Sequence, residues 1–87
     1  MHLLISNLNR FTTTSQVVAL LVPFGLVTSA RLFSNIQNGI SDGTALVEME
    51  FAAGRSAINA LNNLRFMNYF IHVEETYSVI SSFVNRR

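Results

Sequence analysis

The spacing of apolar residues along this chain switches between a two-residue and a three-to-four-residue period, and the order of the switches leaves few topologies open. His2 to Ser6 alternates, with Leu3 and Ile5 on one face and His2, Leu4 and Ser6 on the other, which predicts a first strand. Asn9 to Thr14 is polar and turn-like. Thr13, followed three residues later by Gln16, forms a capping box ahead of Val17, Leu20, Leu21 and Phe24, which share one helix face. Pro23 lacks a backbone donor and Gly25 tolerates a left-handed C-cap, so the helix should stop there.

Leu26 to Phe33 reads as a second strand, with Ala30 and Leu32 on one side and Arg31 and Phe33 on the other. In the turn that follows, Asn38-Gly39 favours a type I′ hairpin, which makes strands two and three antiparallel neighbours. Gly43 to Phe51 is predicted as the third strand, with Ala45, Val47 and Met49 inward and Thr44, Leu46 and Glu48 outward. A second helix over Ala53 to Asn63 carries the stripe Gly54, Ala57, Ile58 and Leu61. Asn68 to Val73 is predicted as the fourth strand, with Ile71 and Val73 inward.

This order predicts an α+β fold of the ferredoxin-like split βαβ type (βαββαβ). A four-stranded antiparallel sheet would carry two helices on one face and leave the other face open. Residues 1–75 form the expected domain and residues 76–87 a short C-terminal extension. In the extension, Tyr77, Ile80, Phe83 and Val84 fit a helix, while Val79, Ile80, Phe83 and Val84 also favour a strand. Either element would lie over the open face.

Eighty-seven residues allow one small domain whose core must be well packed. The chain has no cysteine, which excludes disulfide staples and zinc–thiolate sites. No apolar run approaches the ~18 residues needed to span a bilayer, and Ser15 to Gly25 has neither the length nor the position of a secretion signal. A soluble cytoplasmic protein is the expectation. Net charge is +1, and all six basic residues are arginine. So sparse a basic complement predicts weak, weakly salt-dependent contact with any nucleic acid, because phosphate neutralisation supplies most non-specific affinity.

Two short segments carry a resemblance. Leu3-Leu4-Ile5-Ser6-Asn7-Leu8 and Asp42-Gly43-Thr44-Ala45-Leu46-Val47-Glu48-Met49 are similar to the paired motifs of the RNA-recognition motif (RRM). The resemblance extends over residues 2–75. It includes Val17 to Gly25 with its Pro-Phe-Gly ending, Ala57 to Asn62, and Asn68 to Val73. The Val47-Glu48-Met49 variant, in a domain starting close to its methionine, looks most like the small bacterial members.

The resemblance implies single-stranded RNA as partner, bound by stacking bases on aromatics of the central strands. By position, the stacking sites fall on Leu4, Thr44 and Leu46, none of them aromatic, and the leading basic site falls on Asp42. What remains outward is Arg31 and Phe33 on strand two and Phe70 and His72 on strand four. With Leu4, Thr44 and Leu46 these make the candidate RNA-binding set, and Arg86 and Arg87 are further phosphate candidates. An apolar patch covered by Tyr77, Ile80 and Phe83 is the competing reading of the same face; an alternative function is a protein partner or a homodimer held through the open face by Leu4, Leu46, Phe33 and Phe70 beside acidic Asp42 and Glu48.

His2 and His72 fall on neighbouring strands, yet two histidines without a carboxylate or cysteine make an incomplete zinc site. No metal and no cofactor are expected. Glu48, Glu74 and Glu75 read as isolated surface acids and Asp42 as a turn residue. Acylphosphatases share the strand order but need an arginine-bearing anion loop, which Asn9-Arg10-Phe11 does not resemble, so no enzyme activity is expected.

Overall fold

In the computed structural model, which describes residues 1–34, 37, 39 and 41–77, β1 (His2–Ser6) lies in the middle of the sheet. It is followed by α1 (Thr14–Leu21), a 3-10 turn (Val22–Phe24), β2 (Val27–Ser34), β3 (Ser41–Met49) and α2 (Phe51–Leu61). A short ribbon of β4 (Arg65–Phe66) and β5 (Tyr69–Phe70) precedes β6 (His72–Thr76). The main sheet has four strands in the order β2-β3-β1-β6, with every neighbour antiparallel. This is the expected ferredoxin-like arrangement. Among the described residues no helix is long and apolar enough to cross a membrane.

Alternation decides which face is covered. Leu3 and Ile5 of β1, Ala45 and Val47 of β3, and Val73 of β6 are buried beneath the helices with Val17, Leu21, Ala57 and Leu61. Replacing one of the larger aliphatic side chains here with alanine would cost about 2–5 kcal/mol, so the face assignment is strongly enforced. The predicted capping box is present: the Thr13 hydroxyl accepts from Gln16 N at 3.1 Å and the Gln16 side chain accepts from Thr13 N at 2.8 Å.

Several boundaries differ from the sequence expectation. β3 ends at Met49 and Phe51 opens α2, because the Glu50 carboxylate caps the helix by accepting from Ala52 N at 2.9 Å and Ala53 N at 3.1 Å. Gly25 does not form a left-handed cap. Its φ of 155° and ψ of −173° lie in the extended region open to glycine alone, and a Cβ would overlap Ala53 on α2.

The fourth strand is also placed differently. Tyr69 and Phe70 pair with Phe66 and Arg65 in the ribbon, and the sheet strand starts only at His72. Met67 and Asn68, with φ of 49° and 74°, make the two-residue turn between them, with the positive φ pair of a type I′ hairpin. Asn38 of the expected Asn38-Gly39 turn and residues 78–87 of the extension lie outside the described residues, while Gly39 has a φ of 71°.

The two backbone bonds hold the Glu50 carboxyl below its usual value near 4.5. A depressed carboxyl stabilises the fold above its unfolded pKa and loses that contribution as pH falls through the folded value. Glu50→Ala should therefore lower the urea midpoint at pH 7, and the gap from wild type should close in acid below about pH 4.

Candidate functional site

The face of the sheet opposite the helices is assembled rung by rung from the observed register. One rung runs Arg31, Leu46, Leu4, Glu74 across β2, β3, β1 and β6. A second runs Ser29, Glu48, His2, Thr76. The register of Ile5 with Ala45 and of Ser6 with His72 sets Thr44, Ser6 and His72 on the next rung, with Phe33 beyond Thr44 on β2. Leu4, Thr44 and Leu46 are half-buried at the centre.

Six of the seven candidate residues, Leu4, Arg31, Phe33, Thr44, Leu46 and His72, thus lie on strands of this sheet. Phe70 does not. It belongs to the ribbon, is 60% exposed, and stands directly opposite Arg65. Asn7 Nδ2 donates to the Phe70 carbonyl at 2.9 Å, which ties the ribbon to the end of β1.

Glu74 was legible from the alternation that puts Ile71 and Val73 inward, yet its place in the central rung changes the electrostatics. The two rungs hold one arginine, Arg31 at the β2 edge, and two carboxylates, Glu48 on β3 and Glu74 at the opposite β6 edge, so the centre of the face is not a basic surface. The Arg31 guanidinium instead lies 5.8 Å from the Phe33 ring centroid. Asp42 is a strand residue at a bulge, where its carboxylate accepts from Thr44 N at 3.0 Å. Gly43, at φ 83°, leaves no room for a Cβ against the Leu8 carbonyl.

The two histidines do not meet. His2 pairs with Thr76 and His72 with Ser6, four positions along β1, which separates them by about 13 Å. No group of three or more potential ligands occurs among the described residues.

Glu75 points to the helical side and meets Arg55 of α2 at 4.0 Å. Tyr77, the first residue of the expected cover over the open face, is 75% exposed, and its phenol feels the charge of the same carboxylate. Ile80 and Phe83, the rest of that cover, lie outside the described residues, as do Arg86 and Arg87.

The RNA recognition motif profile matches residues 3–72. This chain belongs to the RNA recognition motif family. A crystal structure of RNA binding protein PG1 is 33% identical, with a TM-score of 0.85 over 90% of this chain and 95% of that one. The Rna15 RRM with bound RNA (GU) is 20% identical, with a TM-score of 0.82 over 99% of this chain and 97% of that one. The RNA recognition domains 1 and 2 of Sex-lethal from Drosophila melanogaster are 23% identical, with a TM-score of 0.81 over 87% of this chain and 49% of that one. No curated relative matches the sequence.

As an RNA recognition motif, the chain keeps the sheet and its open face, while Leu4, Thr44 and Leu46 hold the positions where the resemblance places stacking aromatics. The hydrogen bond and negative charge of Glu75 raise the Tyr77 phenol above its usual 10.0. Ultraviolet titration should find this phenol ionising above that value, and Glu75→Gln should bring it back towards 10.

Proposed function

We propose that this RNA recognition motif binds single-stranded RNA weakly through the open sheet face. The observation that carries the reading is the Arg31–Phe33 couple at one edge of an open RRM sheet, an aromatic ring with a cation 5.8 Å away. Phe33 offers a base a stacking surface and Arg31 reaches the adjoining phosphate, while His72 lies at the other end of the Thr44–Ser6 rung. The similarity to an RRM solved with bound RNA supports the same reading.

Weakness follows from the centre of the face. Stacking one base on an aromatic is worth about 1–3 kcal/mol, and leucine and threonine at Leu4, Leu46 and Thr44 offer no ring for it. The flanking carboxylates Glu48 and Glu74 repel phosphates.

Nitrogen–proton NMR titration with short random RNA pools tests this. Amide shifts should concentrate at Arg31, Phe33 and His72 at low salt and fade towards physiological salt. Arg31→Gln should weaken binding, and Leu46→Phe should strengthen it about fivefold or more by restoring a stacking ring. An unmoved sheet at low salt would remove the proposal.

A second reading rests on a different observation. Leu4 and Leu46 are paired at the centre of the face with acids on both sides, a surface suited to an apolar contact rather than to phosphates. In this reading two copies meet through the open face. Light scattering should then show a concentration-dependent dimer that Leu46→Asp dissociates, and a strict monomer at millimolar concentration would exclude it.

A further inference from the structure

The sheet centre is poor in rings and positive charge, but the region beyond the Ser6–His72 rung is rich in both. The loop between β1 and α1 carries Arg10 and Phe11, with the guanidinium 5.2 Å from the ring centroid and the ring 71% exposed. The β4–β5 ribbon carries Arg65 directly opposite Phe70. On the other ribbon pair, Phe66 packs against the core, so Arg65 and Phe70 face away from it. Neither arginine has an ion pair among the described residues.

The loop and ribbon are fastened together. Asn7 Nδ2 donates to the Phe70 carbonyl at 2.9 Å, and Asn9 Nδ2 donates to the Met67 carbonyl at 3.1 Å. The buried Thr12 hydroxyl lies 3.5 Å from the Met67 sulfur. Asn9 Oδ1 also accepts from Phe11 N at 2.8 Å, which fixes the backbone that presents the ring. The five carboxylates of the chain are Asp42, Glu48, Glu50, Glu74 and Glu75, so neither loop nor ribbon contains one.

Exposed phenylalanines beside arginines that form no ion pair among the described residues, Arg65 donating instead to Asn68 Oδ1 at 3.4 Å, on a braced backbone with no acid in loop or ribbon, match the chemistry of a single strand: flat bases to stack and phosphates to neutralise. We infer that the β1–α1 loop and the β4–β5 ribbon form a second nucleobase platform. In it Phe11 and Phe70 each stack a base of single-stranded RNA, and Arg10 and Arg65 contact the adjoining phosphates. The inference rests on the proposed RNA binding and moves its main stacking surface off the sheet. His72 follows Phe70 by two residues on the same side of the chain, so the platform continues the open face at the β6 edge.

The experiment measures RNA affinity for wild type and for the double variant Phe11→Leu with Phe70→Leu. Both rings are exposed, so the amide spectrum away from the two sites and the urea midpoint should stay close to wild type, and this is checked first. If folding is disturbed, Arg10→Gln with Arg65→Gln takes the place of the pair. Loss of two stacked bases should weaken binding at least about 25-fold, taking fivefold for each. Removing both arginines should flatten the slope of log affinity against log salt by about 1.4.

A loss below about fivefold in the phenylalanine pair, or an unchanged salt slope in the arginine pair, overturns the platform. If Arg31→Gln still weakens binding in that case, the sheet reading stands alone. Wild type that binds no RNA at low salt overturns both.

Discussion

The pairing of β1 on both its edges is the constraint on which the rest of this structure depends. Leu3 and Ile5 must lie under the helices, and the register against β3 and β6 fixes this at every residue from His2 to Ile5. A shift by one residue would send Leu4 into the core and expose Leu3 and Ile5, at several kcal/mol for each buried aliphatic lost. The same register builds the open face. Leu4 meets Leu46 and Glu74 because Leu3 and Ile5 are where they are, so the composition of the candidate site is a by-product of core packing.

That dependence explains how much was legible in the sequence. A strand with a single buried face announces itself through alternation: β1 was readable in both extent and facing, and β2 and β3 in facing, with their ends displaced by one or two residues. The Thr13–Gln16 capping box was legible because its spacing is fixed by backbone geometry. The start of α2 was not. Phe51 continues an apolar strand pattern, and only the Glu50 side chain, three residues before the first buried residue Ala53, reveals that the helix has already started. Glu50 occupies the N-cap, where serine or threonine is the familiar signal, and reaches the same amides with a longer side chain.

The β4–β5 ribbon escaped for a different reason. Its turn places Met67 at φ 49°, and a methionine gives no hint of left-handed backbone. The stabilising contacts come from residues more than fifty positions away, Asn9 and Thr12, which no local pattern discloses. Reading Asn68 to Val73 as one strand nevertheless placed Ile71 and Val73 correctly, since buried residues keep their parity through the break at Ile71. Phe70 is exposed, as that reading had it, but stands on the ribbon and not on the sheet.

Holding Met67 in the left-handed region costs about 1 kcal/mol or more, and a turn with glycine there would avoid it. The chain instead places a residue whose carbonyl and sulfur are both engaged by the β1–α1 loop. The strained turn therefore exists as part of a joint rather than as an isolated hairpin, which two strands of two residues each could not sustain in water. The joint orders the backbone of Phe70 and, through Asn9, that of Phe11 before any ligand arrives. Surfaces ordered in advance lose less entropy on binding. On a face whose centre offers leucine and threonine in place of rings, such ordering places the exposed rings at the edge, where the proposed RNA contact would lose least entropy.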